Sequence, residues 1–295
     1  MRIAFFGLPL AGCLLAADGH EIVFAGLSRR GSPGTRRLRR LLGEDRVRIV
    51  PKVDDPAVVR AVAAAAPDLL VSWFWTTKLT PRILSLPPLG AFGVHPSLLP
   101  RHRGPDPYFW TILHGDTVSG VSAHRIASEY DTGALLGQRT LPVDPGWNAL
   151  QLARALDRPS LALLRETVRA FAAGAPPPDV SQDETLATLA PEPGDADLEI
   201  DWTTSVDDVL RRIRAAAPFP GAYTFVGDRQ IAVARARRAE SRLAALEPGE
   251  AAAWQGRLLV RAADGAVIIE QARDDEDQPL SPAELALLAE PTPAT

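Results

Sequence analysis

Apolar residues fall in short runs through the first half of the chain, with turn residues and amphipathic stretches between them. Met1–Phe6 is such a run and predicts a first strand buried on both faces. Gly7-Leu-Pro supplies a turn, Leu10–Asp18 a helix closed by Gly19, and Glu21–Ala25 a second strand. Val47–Val50 is a weaker third strand, Asp55–Ala66 an Ala/Val helix with Pro56 in its first turn, and Leu69–Trp75 a strong buried strand. Ala91–Val94 is another, ending at His95, because Pro96 cannot donate to a ladder and holds the residue before it extended. Pro107–His114 reads as a helix capped by Asp106, and Val118–Ile126 as the strand after it. Strands alternating with helices in this way predict an open α/β sheet, which begins as a Rossmann-like strand–turn–helix–strand. Such sheets place ligands beyond the carboxyl ends of their strands.

Asn148–Ala172 is a long amphipathic helix that should cover the sheet, with Pro159 a candidate break. A polar, Pro-rich stretch runs from Gly174 to about Asp197, after which the pattern changes. A helix over Ser205–Ala217 precedes four strand-like runs, Tyr223–Val226, Ile231–Arg235, Arg257–Val260 and Ala266–Glu270, with Asp264-Gly a tight hairpin. The expected organisation is a domain over 1–175, a linker over 176–197 and a C-terminal domain over 198–295. Pro291–Thr295 is expected to be a frayed end.

A chain of 295 residues can bury two cores. A net charge of −4 argues against general affinity for nucleic acid. Basic residues gather only between Ser28 and Arg46, where Arg29, Arg30, Arg36, Arg37, Arg39 and Arg40 could meet a polyanion. The plainer reading is a solvated helix face, with Leu38, Leu41 and Leu42 turned inward. The single cysteine, Cys13, excludes an internal disulfide and fits a reducing compartment. With no apolar run of membrane-spanning length and no leader, the expected location is the cytoplasm.

Candidate chemistry centres on His95 and Asp131, each at the end of a strand-like run. A carboxylate beside an imidazole fixes its tautomer and favours its charged form, giving a proton acceptor that can later donate. The bland alternative is a structural histidine and an ordinary Asp-Thr-Gly turn. Trp73, Phe74 and Trp75 close a strand and could line a flat pocket or pack on the next helix. Arg101 and Arg103 could hold an anionic group of a substrate, or pair at the surface. His102, His114 and His124 show no metal-ligand spacing, so no metal is expected. No Gly-x-Gly-x-x-Gly follows the first strand, which leaves a dinucleotide unsupported.

His-Pro-Ser-Leu-Leu-Pro-Arg-x-Arg-Gly at 95–104, followed by Asp131-Thr-Gly, resembles the formyltransferase family that uses 10-formyltetrahydrofolate. The resemblance implies a Rossmann-like formyltransferase domain followed by a small OB-like β-barrel. It also implies 10-formyltetrahydrofolate as co-substrate and a catalytic set at His95, Asp131, Gly93 and Ser97. Trp73, Phe74, Trp75, Ile83, Leu84, Leu86 and Tyr130 match the folate-lining segments, and Arg101 and Arg103 fall where an acceptor would be anchored. The family carries Asn-x-His, whereas this chain has Gly93-Val-His. The missing amide is a donor to the formyl oxygen, and losing one such donor costs on the order of a hundred- to a thousand-fold in rate. His95 when protonated, a backbone N–H, Ser72 or Trp73 could substitute. The resemblance implies transfer to an amine of a specialised small-molecule or carrier-bound acceptor. Hydrolysis of the donor, methionyl-tRNA formylation with tRNA as partner, and a non-catalytic folate-binding role are the alternatives.

Overall fold

A computed structural model describes residues 1–240 and 246–289. The expected frayed end at Pro291–Thr295 lies outside the described residues. Contacts divide the chain into two units, one of residues 1–105, 119–141 and 155–189, the other of 106–118, 142–154 and 190–295.

The first unit is built on a seven-stranded sheet ordered β3-β2-β1-β4-β5-β6-β7. Its strands are β1 (Arg2–Gly7), β2 (Glu21–Leu27), β3 (Val47–Ile49), β4 (Leu69–Trp73), β5 (Ala91–His95), β6 (Val118–Arg125) and β7 (Leu135–Pro142). Strands β1 to β5 pair in parallel, joined by helices α1 (Pro9–Ala17), α2 (Thr35–Leu42), α3 (Pro56–Ala64) and the short α4 (Pro81–Leu84). The apolar runs form strands for the expected reason: Ile3 to Phe6 and Leu69 to Val71 are inaccessible to solvent. Strand β4 stops at Trp73, two residues short of the predicted end, because Phe74 takes a left-handed φ of +54° and breaks the ladder.

Strand β6 runs antiparallel to β5, with Phe92 opposite Arg125 and His95 opposite Ser122. Its carboxyl end therefore lies beside the start of β5, and His95 and Asp131 do not meet at a shared strand-end edge as predicted. The chain after Arg125 must fold back over the sheet instead. Gly133 permits this, because a Cβ there would lie 1.9 Å from the Arg125 carbonyl oxygen.

Helix α5 (Pro107–Leu113) is capped by Asp106, which accepts from Phe109 N at 3.1 Å. Helix α6 (Ala149–Ala172) continues through Pro159 without a break. Burial of Leu156, Leu163, Leu164, Val168 and Phe171 along one stripe holds it. Residues 176–197, read from composition as a linker, are tied to the first unit along part of their length. Val180 exchanges backbone bonds with Leu135 at 2.7 and 3.0 Å, and Thr188 N donates to Pro100 O at 3.2 Å.

The second unit carries α7 (Asp195–Leu198), α8 (Val206–Ala216) and α9 (Pro282–Leu287) beside a six-stranded antiparallel sheet. Its path is β10-β11-β12-β9-β8, with β13 added to β12. The strands are β8 (Ala222–Val226), β9 (Arg229–Arg238), β10 (Ala251–Trp254), β11 (Arg257–Ala262), β12 (Gly265–Arg273) and β13 (Pro279–Leu280). Asp264 sits in the β11–β12 turn and caps α8 from outside, accepting from Val206 N at 2.7 Å. Helix α5 packs against α8 within this unit. No helix among the described residues is long and apolar enough to cross a membrane.

Candidate active site

Side chains alternate across a strand, so Gly93 and His95 share one face of β5 while Phe92 and Val94 share the other. The second face meets α6: Phe92 stacks on Phe171, and Trp73 Nε1 donates to Ser160 Oγ at 2.7 Å. The first face holds a row of register partners, Ser72 on β4, Gly93 on β5 and His124 on β6.

Over this row folds the turn that carries Asp131, which has a left-handed φ of +56°. Asp131 Oδ2 accepts from Gly104 N at 2.9 Å and faces His95 Nδ1 at 3.5 Å. Its Oδ1 faces His124 Nε2, also at 3.5 Å. One carboxylate thus stands between two imidazoles, both of them buried. The sequence reading pairs Asp131 with His95 alone. His124 was visible only as a histidine without metal spacing, and the register that aligns it with Gly93 is not written in any local motif.

Backbone carbonyls set the tautomers. His95 Nε2 lies 2.9 Å from His102 O, and a carbonyl can only accept, so this nitrogen carries the proton. His95 Nδ1 is then the nitrogen free to take another, with Asp131 as its neighbour. His102 aims its carbonyl from a left-handed φ of +62°. The tautomer is therefore fixed by His102 rather than by Asp131, as the sequence implied. His124 is held in the same manner, with Nδ1 2.9 Å from Arg125 O. Burial pushes His124 down to about 4, against the pull of Asp131, with His95 and Arg103 adding to the depression. Near neutral pH it is an uncharged ring with a bare nitrogen towards the carboxylate.

The Ser-Leu-Leu-Pro turn is locked from beneath. Ser97 Oγ donates to Arg101 O at 2.6 Å, and Ser122 Oγ donates to Ser97 O at 2.7 Å. Ser122 Oγ also accepts from Leu99 N at 3.0 Å and from Gln138 Nε2 at 2.8 Å. Ser97 has no solvent exposure and acts here as a turn fastener. The guanidinium of Arg103 is occupied by Glu184, at 2.8 Å from each of two nitrogens, and by Gln182 Oε1 at 2.8 and 3.1 Å. That hydrogen bonding raises Arg103 and holds Glu184 below the usual carboxylate range. The cation expected to anchor an acceptor is thus committed within the protein. Arg101 stands in the same turn and contributes its carbonyl to Ser97.

The expected folate-lining residues divide by face. Trp73 points to α6, away from His95, and with Ile83 belongs to the core rather than to a pocket wall. Phe74 packs edge-on against Trp73 at 4.7 Å. Trp75, Leu84, Leu86 and Ile126 pack, partly exposed, on the cluster of Phe6, Leu70, Leu79 and Ala91. Leu70 and Ala91 lie on the same face as Gly93. Trp75 Nε1 and Thr80 Oγ1, both in the segment after β4, are buried without a hydrogen-bond partner among the described residues. Unpaired donors beside a half-covered apolar surface suit a heteroaromatic ligand with polar edges. Tyr130 is exposed, with the Lys78 ammonium 5.9 Å from its ring centroid. Among the described residues no group of three or more His, Cys, Asp or Glu side chains could hold a metal ion. The basic segment forms a cavity of about 680 Å³ lined by Arg36, Arg37, Arg39 and Arg40.

Comparison with known proteins agrees with the motif. Residues 40–168 match the formyl transferase family and residues 194–287 match the formyl transferase C-terminal domain. The methionyl-tRNA formyltransferase of Syntrophus aciditrophicus is 34% identical over 221 residues, covering 75% of this chain and 70% of that protein. HypX from Aquifex aeolicus, solved with tetrahydrofolic acid, has the same fold over 96% of this chain at a TM-score of 0.68 and 22% identity. The chain spans 46% of the length of HypX. WlaRD, a sugar 3N-formyl transferase solved in the presence of dTDP and 5-N-formyl-THF, aligns over 93% of this chain and 98% of its own. Its TM-score is 0.66 at 14% identity.

Proposed function

The chain belongs to the formyl transferase family, and on that premise we propose that it transfers a formyl group from 10-formyltetrahydrofolate to an amine of a small-molecule or carrier-bound acceptor. The observation that carries the reading is the placement of Asp131 3.5 Å from the one His95 nitrogen that is free to take a proton. The co-substrate supplies the activated formyl carbon, and Trp75, Thr80, Leu84, Leu86 and Ile126 are the residues to hold its ring system. The acceptor amine attacks that carbon, and its surplus proton passes to His95 Nδ1. Asp131, held by Gly104 N–H, faces the charge that then forms on the imidazole. His95 returns the proton to the departing nitrogen. Ser72 is the donor best placed to serve the formyl oxygen, since its hydroxyl borders the space that a side chain at Gly93 would fill. Trp73 is unsuited, because its indole N–H is taken by Ser160.

A methionyl-tRNA acceptor is the second reading. It is favoured by the name of the Syntrophus relative and by the arginine-lined cavity. One experiment separates these readings from hydrolysis and from binding without catalysis. The protein is mixed with 10-formyltetrahydrofolate and tetrahydrofolate release is followed with amino-sugar nucleotides, simple amines, methionyl-tRNA or water alone, with His95→Ala as control. Release that requires a small amine and disappears in His95→Ala supports the proposal. Release with water alone makes the protein a hydrolase, and folate binding with no release in any arm overturns catalysis.

A further inference from the structure

We infer that Gln182 is a positioning residue that sets the Asp131 carboxylate against its two imidazoles, an inference that takes the proposed proton transfer as its premise. Val180, two residues earlier, is fixed to Leu135 of β7 by a reciprocal pair of backbone bonds, so Gln182 enters the site from an anchored strap. Its Nε2 donates to Asp131 O and to Gly133 O, both at 2.7 Å. An amide nitrogen has two N–H groups, and both are used on the one turn. Its Oε1 accepts from Nε and Nη2 of Arg103 at 3.1 and 2.8 Å. Reversing the amide would set donors against donors on one side and oxygen against carbonyl oxygens on the other, so its orientation is determined.

The consequence is geometric. Asp131 reaches the site from a left-handed backbone that most residues avoid, and the two Gln182 bonds grip the carbonyls on either side of Thr132. The other loop that defines the carboxylate is held through the same side chain. Gly104, whose N–H binds Asp131 Oδ2, directly follows Arg103, and Arg103 is gripped by Gln182 and Glu184. One amide therefore joins the segment that supplies the carboxylate to the segment that supplies its hydrogen-bond donor. The charged and titratable groups facing Asp131 are His95 from β5, His124 from β6 and Arg103 from the loop after β5. Their distances to Asp131 all depend on that joint.

Two variants test the role. Gln182→Ala removes both halves of the amide, while Gln182→Glu keeps the oxygen for Arg103 and cannot donate to the turn. In both, kcat for formyl transfer should fall about 10- to 100-fold with KM within about twofold, the size expected when a reacting group is misplaced by about 1 Å. Melting temperature should stay within a few degrees. Leu186→Ala, an exposed position on the same strap, should retain wild-type turnover. The chain has five histidines, so ring resonances can be followed by NMR through a pH titration. The His124 midpoint should move by about half a pH unit or more in both variants. Unchanged midpoints, or full turnover in Gln182→Glu, would overturn the role. If the wild-type protein transfers no formyl group to any acceptor, the functional proposal fails while the titration still decides the role of Gln182.

Discussion

Replacing Gly93 by Asn should strengthen formyl transfer without harming the fold. A Cβ built at Gly93 meets Ser72 Cβ and Ser72 O at 3.4 Å and Ser72 Oγ at 3.8 Å, which are ordinary contacts. Gly93 also lacks the left-handed backbone that would strain a side chain. Glycine inside a strand costs about 0.5–1 kcal/mol relative to alanine, so the variant should melt at or slightly above the wild-type temperature. A donor aimed at the formyl oxygen contributes up to about 2.7–4 kcal/mol, or 10²- to 10³-fold in rate, when no other group does that work. With Ser72 doing part of it, as proposed, the expected gain is nearer tenfold. Ser72→Ala should lower the wild-type rate by about the same factor, and should cost much less in the Gly93→Asn background. The assay is tetrahydrofolate release at saturating 10-formyltetrahydrofolate, with melting curves on all four proteins. Additive effects of the two substitutions would refute a shared donor role. A slower Gly93→Asn protein with an unchanged melting curve would show that the open space is needed by the substrate.

The depressed His124 makes stability depend on pH. Its folded value of about 4 lies below the ordinary 6.5, so between these values the unfolded chain binds the extra proton. The contribution is complete above about pH 6.5 and is lost as pH falls towards 4, amounting to about 3 kcal/mol in total at 1.36 kcal/mol per unit. Urea unfolding midpoints from pH 7.5 to 4.5 should decline less in His124→Gln than in wild type, and parallel curves would exclude the assignment. Arg103→Lys keeps the charge but loses the planar fork held by Glu184 and Gln182, so kcat should fall about tenfold with acceptor KM unchanged. A raised acceptor KM at constant kcat would restore Arg103 as an anchor. Trp73→Phe should cost about 1 kcal/mol of stability through the lost Ser160 bond and leave folate KM unaltered, as equilibrium binding and denaturation would show.

Local patterns carried the sheet and the motif, and failed where the answer depended on which strand lies beside which. Ala91–His95 and Pro107–Leu113 were legible because a proline, a cap and an apolar run each act within a few residues. The role of Trp73 was not, because adjacent strand positions point to opposite faces and the face that holds the site is set by β6 and α6. The short β3 and the break at Phe74 turn on single backbone angles and ladder edges. Residues 176–197 looked like a linker by composition, yet Gln182, Glu184 and Thr188 bind groups 51, 81 and 86 positions earlier in the chain. Side-chain bonds over such separations leave no periodic trace.

Gly93 and the second imidazole belong to one row of the sheet. Gly93 and His124 are register partners, so the ring stands on the strand beside the space left by the glycine. His124 cannot serve as a donor there near neutral pH. Its one proton is spent on Arg125 O, and burial keeps the nitrogen towards Asp131 bare until about pH 4. It borders the second carboxylate oxygen of Asp131 without donating to it, and Gly104 N–H is the direct donor to that carboxylate. In the proposed mechanism the work of proton transfer and the work of stabilising the formyl oxygen are then divided between different side chains: His95 and Asp131 for the first, Ser72 for the second. A fall in rate on losing Ser72, with the shape of the pH–rate profile unmoved, is the pattern this division requires.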